Sequence, residues 1–517
     1  MTLIIGSLTA QQISGLSTTA ISLLTTTDVA ALSTTQVAAL SATQINALNT
    51  TDLQALQTTQ ITGFSAKAIS GLSINVILAL TTTQVDALTT TQIGALTASE
   101  IGALTSTELQ GWSGAQVDAL TATQLGGLTT TAIDRFSTAQ LGALTTTQVR
   151  GLTPIQLNNI AVASLQALSA ANLSPAQVAG LNATAIGHLT TTQVAALTAT
   201  QIGSLTTTEI GALTSTELQG WSGAQVGALT ATQLGGLTTT AIGKLSTAQL
   251  GALTTTQVRG LTATQLNGIA VASLQALNVA NLSTAQVAGL NATAIGHLTT
   301  TQAGALTTTQ IKALTAAEFG ALTSTELQGW NAGQVGALTA LQLGGLTTTA
   351  IGNLSTAQLG ALTTAQVRGL TATQLNGIAV ASLQALNVAN LSTAQVAGLN
   401  ATAVGHLTIT QAAALTAAEI AALTTAAFGG LTTTELGALT AAQAGALTAS
   451  QIASLTTTRF AALSSTTGIP ALSVAAISGI SAADFGALST TQGNSFTAAQ
   501  IQAMTVAQIN ALVALVG

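Results

Sequence analysis

An eight-residue phrase, Ser33-Thr34-Thr35-Gln36-Val37-Ala38-Ala39-Leu40, recurs with small variations from one end of the chain to the other. A repeat this short leaves each unit few ways to fold, so the octad constrains the architecture more than any other feature. Counted from the Ser, position one is Ser, Thr or Asn, position four is usually Gln or Glu, position five is Val, Ile or Leu, and position eight is Leu. A Ser or Thr followed three residues later by Gln or Glu is a capping box, in which the hydroxyl and the longer side chain satisfy backbone N–H groups reciprocally. The preceding Leu and the residue at position five are placed as the two halves of a hydrophobic staple. Positions five and eight are three apart and share one helical face. Each octad is therefore expected to start its own short helix.

Rare residues test this register independently. Proline is tolerated at the first helical position, and Pro154 and Pro175 each follow a cap, Thr153 and Ser174. Acidic residues suit a helix start and basic ones its end. Glu100, Glu209, Glu318 and most other acids stand at position four, while Arg135, Arg150, Lys244, Arg259, Lys312 and Arg368 stand at positions six or seven. Lys67 and Arg459 depart from this rule. A β-solenoid would need apolar residues at even spacing, whereas here the spacing alternates between three and five.

Position eight recurs without slippage from Leu8 to Leu168, through Phe64, Trp112, Phe136 and Ile160. A five-residue unit, Ser169–Leu173, then interrupts the octads, and it returns at Asn278–Leu282 and Asn387–Leu391. Trp112, Trp221 and Trp330 recur at the same interval as these units, so near-identical long repeats run over about 105–213, 214–322 and 323–431. A nine-residue step at 464–472, with Gly468 and Pro470, is expected to form an irregular loop. Burying two apolar side chains cannot offset the ordering of eight residues. One octad should not fold alone, and stability must come from stacking neighbours.

The fold class expected is thus all-α, a solenoid of very short helices, one per octad, forming a single continuous domain over 1–517. The anchors Phe64, Trp112, Phe136 and Ile160 are separated successively by six, three and three octads, which would stack them if three octads made a turn. Two or four octads per turn are the alternatives. The five-residue units would shift the phase in any of these arrangements.

The net charge is −6 and charged residues are only 4% of the chain. There is no basic stripe for phosphate binding, so nucleic acid is not an expected partner. No Cys is present, which removes disulfides and thiolate metal sites. Thr and Gln interrupt every apolar run, so no membrane span is expected. The opening MTLIIGSLTAQQISG lacks a basic n-region and an adequate h-region, and export would have to use a route other than a Sec signal peptide.

His188, His297 and His406 recur in Gly-His-Leu, late in their octads, where a helix C-terminus suits an imidazolium. The three Trp stand at the Leu anchor and are expected in the core. Asn182, Asn291 and Asn400 begin Asn-Ala-Thr, a glycosylation acceptor pattern, but each stands at position one, where Asn is a good helix cap. Glycine recurs near the octad's end, a place where it helps a backbone leave a helix. No catalytic triad, phosphate loop or metal spacing is present. The chain is not expected to be an enzyme or to carry a cofactor or metal.

The phrases LTTTQVAAL, LTATQIGSL and LSTTQVAAL resemble the Thr/Ala-rich octapeptide repeats of large bacterial surface and secreted proteins. That resemblance implies an extracellular structural or adhesive role and carries no catalytic residues across. The leading functional expectation is a structural subunit of an extracellular filament. Its apolar termini, with Leu3, Ile4 and Ile5 at one and Ile509, Leu512, Val513, Leu515 and Val516 at the other, would join copies head to tail. The alternative is a monomeric surface adhesin or stalk that meets a polysaccharide, a surface or ice through repetitive Thr/Gln faces.

Overall fold

A computed structural model of the chain describes residues 5–517. Among them the regular structure is helical throughout, in segments mostly four to six residues long. The octad beginning at Ser33 gives the helix Thr34–Ala38, with the Ser33 hydroxyl accepting from the Gln36 N–H and the Gln36 Oε1 accepting from the Ser33 N–H at 2.7 Å. This reciprocal cap recurs wherever position four is Gln, Glu or Asp behind a hydroxyl, as in Thr81–Gln84 and Thr206–Glu209. Pro154 and Pro175 open their helices, as their register requires.

The helices stop because position eight is extended, with φ −65° and ψ 144° at Leu205, and the next cap is extended too. In other octads position seven has already left the helix, so the connection takes two or three residues. Glycine does not end these helices by adopting a positive φ, since none of the described residues has one. At some positions its use is close approach. A Cβ on Gly151 would lie 2.4 Å from the Ala122 carbonyl oxygen, and one on Gly126 would lie 2.5 Å from the Gly151 carbonyl oxygen.

The chain divides into two compact units, Met1–Gly260 and Leu261–Gly517, each a helical solenoid. In the first, helices three octads apart pack on one another, such as Ala10–Ser14 on Thr34–Ala38 and Ala122–Gly127 on Thr146–Gly151. The second repeats the arrangement with Ala340–Gly344 on Thr364–Gly369 and Thr393–Ala397 on Ala417–Ala422. Positions five and eight form the interior: Val85 and Leu88, or Ile311 and Leu314, are at most 3% exposed. Trp112, Trp221 and Trp330 are buried with them, and the Trp112 ring lies 6.5 Å from that of Phe136, three octads on.

The five-residue units form 3₁₀ helices, Ala170–Asn172, Val279–Asn281 and Val388–Asn390, that bury Ala170, Val279 and Val388. The 464–472 unit contains a turn and then the 3₁₀ helix Ile469–Ala471, with Ile469 and Leu472 in the core. The longest helix, Val506–Val516, packs on Ala482–Phe485 and Thr490–Gly493.

Candidate functional site

Position four carries a second bond that local sequence does not announce. The Oε1 of each Gln serves the cap, which leaves Nε2 pointing out of the octad toward the preceding turn. Gln84 Nε2 donates to the carbonyls of Leu53 and Leu56 at 2.8 and 2.7 Å, 31 and 28 residues earlier. Gln44 does the same to Ile13 and Leu16. In the second unit Gln451 reaches Ile420 and Leu423, and Gln508 reaches Ile477 and Ile480. The acceptors are the carbonyls of positions five and eight; the first also accepts from the N–H of its own position eight, as Leu53 does from Leu56, while the second lies past the helix end. Most of these Gln are consequently buried, with Gln84 3% exposed, while Gln140, Gln358 and Gln492 are half-buried. Together with the packing of helices three octads apart, these offsets make one turn a little longer than the three octads expected from the aromatic anchors.

The five-residue units do not shift the phase. Gln177 bridges back to Val149 and Leu152, 28 and 25 residues away, because Ser169–Leu173 lies between. Once past it, Gln201 donates to Ala170 and Leu173 at the ordinary offsets of 31 and 28. The shortened unit has lost the cap and kept both carbonyl acceptors, so it counts as a whole step.

In three octads where position four is Ala, a side chain at position seven supplies the donor instead. Arg135 Nη1 donates to Gly102 and Leu104 at 2.6 and 2.7 Å. Lys244, at the matching place in the next long repeat, donates through Nζ to Gly211 and Leu213, and Asn353 donates to Leu322. Arg459, at position four itself, donates to the carbonyls of Gly429 and Leu431. Arg135 and Lys244, at octad ends, are thus donors between turns.

An outer set of bonds runs the other way, from position six to a later turn. Gln54 donates to the Ala79 carbonyl, Gln219 to Lys244, and Gln166 to His188. Asp134 accepts from the N–H of Ala161, whose octad has no side-chain cap of its own.

Charge responds to these surroundings. Burial raises the pKa of Asp52 above the ordinary carboxylate value, outweighing its hydrogen bond from Asn49. Asp86 is raised by burial and then by the charge of Glu108. Asp28 is lowered by its hydrogen bonds from the Thr25 hydroxyl and N–H.

Positions one to three point outward, as at Thr81, Thr82 and Thr83. Only the Thr part of the expected Thr/Gln faces is therefore on the surface; position-four Gln is inside because its amide bridges turns. His188 and His297 are exposed at helix C-caps and His406 is half-buried at another, while Asn182, Asn291 and Asn400 are N-caps accepting from Ala185, Ala294 and Ala403. Shallow grooves recur at the spacing of the long repeats, lined by Ala98, Ser99, Gly102 and Gly127 and again by Thr207, Thr208, Gly211 and Gly236.

Of the terminal residues expected to join copies, Leu3 and Ile4 lie outside the described residues. Ile5 and Leu512 are buried in the chain's own core, and Leu515 is half-buried. A Cβ on Gly493 would meet Val516, Leu515 and Leu512, which locates where the last helix packs. Val506, Ile509, Val513 and Val516 keep exposed surface on that helix. Among the described residues no helix is long and apolar enough to cross a membrane.

The sequence does carry one signal of the bond between turns, which is the preference for Gln over Glu at position four. A capping box takes either, and a helix N-terminus favours the acid, so an excess of Gln implies that something needs its donor.

These features define a repeat protein, and comparison with known proteins supports that class. The profile of the ALTTAQ repeat matches residues 26–58, 124–154, 170–207, 232–263, 279–316 and 340–372. No curated protein matches the chain. Among solved structures, a chain of a homology model of the full-length AP-3 complex in an intermediate open conformation matches with 10% identity and a TM-score of 0.20, over 80% of this chain and 76% of that one.

Proposed function

We propose that the chain is a structural subunit of an extracellular filament, with no catalytic role. The observation that carries this reading is the sameness of the turn-to-turn contact. At step after step, amide donors from one turn meet the carbonyls of positions five and eight of another. A surface that fits its own neighbour within a chain can fit the corresponding turn of a second copy, and a heterologous contact of that kind extends without closing. The net charge of −6 offers little repulsion against it. The resemblance to repeats of surface and secreted proteins supports a place outside the cell.

Negative-stain microscopy of the purified full chain tests the proposal. Long unbranched fibres are the expected result, and a monomer that persists at high concentration overturns it. A second reading, an adhesin or stalk for a polysaccharide, a surface or ice, is favoured by the exposed hydroxyls of positions one to three. It would give a monomer that is retained on an immobilised polysaccharide or slows ice growth.

A further inference from the structure

Backbone–backbone hydrogen bonds of the described residues join partners only a few positions apart, so the bonds between turns are made by side chains. In the second unit this stitching stops for three octads. Gln411 donates back to Leu383 and Leu386, and Gln443 donates back to Ala412 and Leu415. In the octads between them, 416–439, position four is Glu419, Ala427 and Glu435. The two carboxylates accept from the N–H groups of Thr416 and Thr432 at their own caps and have no proton to give. Lys244 and Asn353 make up for an Ala at position four in other octads, but beside Ala427 that place is Gly430. Among the described residues, the carbonyls of Leu391, Leu399 and Leu407 in the turn below accept no hydrogen bond.

A missing Gln is relieved elsewhere in the unit. The octad of Glu326 ends in Trp330, whose Nε1 donates to the Ala303 carbonyl of the turn before at 3.0 Å. The turn 416–439 is itself stitched again to the turn that follows it, by Gln451 to Ile420 and Leu423 and by Arg459 to Gly429 and Leu431. What holds it on the turn before is apolar packing and close backbone approach. Ile420, Phe428 and Leu436 are fully buried, the helix Ala417–Ala422 packs on Thr393–Ala397, and a Cβ on Gly430 would collide with the Ala401 carbonyl oxygen.

We propose that the interface between the turns 392–415 and 416–439 is a built-in opening point of the second unit, where the solenoid parts first under load or heat while the stitched turns on either side hold. The stability of a solenoid is a sum of unit and interface contributions, and local opening begins where the fewest interactions are lost. Parting stitched turns breaks amide-to-carbonyl bonds in a water-poor interior; parting this interface breaks none. Helices of four to six residues do not persist alone, so the turns uncovered by the opening fray, and they recover by docking the same two surfaces. A chain that bears load would lengthen at a fixed place and close again when the load falls. Such a point would serve a monomeric stalk as well as a filament.

Hydrogen exchange of the full chain, read by mass spectrometry at urea concentrations below the unfolding transition, tests this. The helices Ala401–Gly405 and Thr425–Phe428 should exchange through an opening reached at lower urea than that of Ala340–Gly344 and Thr364–Gly369. The double variant Glu419→Gln and Glu435→Gln should fold, because Gln is the usual residue at position four. Its added donors should slow exchange in the first two helices by at least about tenfold. Glu318→Gln, which removes a charge and adds a donor at another turn of the unit, should leave those two helices as they are in wild type. Uniform protection across the second unit of wild type overturns the proposal, as does a double variant with unchanged exchange. Equal slowing by Glu318→Gln also overturns it, by making lost charge rather than stitching the cause.

Discussion

Gln201 donates from Nε2 to the carbonyl of Leu173 at 2.8 Å, and Leu173 closes a unit of five residues rather than eight. The bond has nearly the same length and the same register as that from Gln84 to Leu56 across full octads. What a unit contributes to the stack is therefore its second half, positions five to eight, and a unit can be shortened at its start without losing its place.

Gln201→Ala should remove two buried bonds and leave the Ala170 and Leu173 carbonyls without that donor. A loss of roughly 1–3 kcal/mol is expected, seen as faster hydrogen exchange in the helix Ala199–Ser204 and in the octads stacked against it. Thr82→Ala, at an exposed position two, should stay within about 0.5 kcal/mol of wild type. Equal effects would mean that the ladder does not carry stability.

Lys244→Met should destabilise its turn by roughly 1–2 kcal/mol, because Gly211 and Leu213 lose a charged donor. Lys244→Arg should restore it, since Arg135 makes the equivalent bonds in the preceding long repeat. Chemical denaturation of the three proteins separates a donor role from simple packing of the stem.

Two glycines should respond with opposite sign to Ala. Gly151→Ala would press a methyl against the Ala122 carbonyl and should destabilise. Gly211 lies inside the helix Thr207–Ala212 with nothing near its missing Cβ. Gly211→Ala should stabilise by about 0.5–1 kcal/mol through helix propensity. Melting temperatures of the two variants decide it.

Asp52 should make its helix, Thr50–Ala55, more stable in acid. Its folded pKa is raised by burial, so its contribution is fully present below the unfolded value of about 3.9 and is lost as pH rises through the folded one. Hydrogen exchange, corrected for its intrinsic pH dependence, should show this helix better protected near that value than at neutral pH. Asp52→Asn should abolish the difference and raise protection at neutral pH.

Spacing within one octad is enough to place each helix start, to choose the apolar face, and to say where Pro154 and Pro175 can stand. Those are consequences of contacts no more than four residues apart. The same reasoning puts the Trp anchors in the core and makes the Asn residues caps, as the folded chain has them. Other outcomes wait for the turns to stack: the Gln amide leaves its octad to bridge them, the five-residue units keep the phase, glycines such as Gly151 serve close approach, and Leu512 is buried in the chain's own core. Each of these depends on which carbonyl or side chain, often 28 or 31 residues away in the chain, is adjacent in space. That adjacency follows from how the helices pack, and a single octad contains no measure of it.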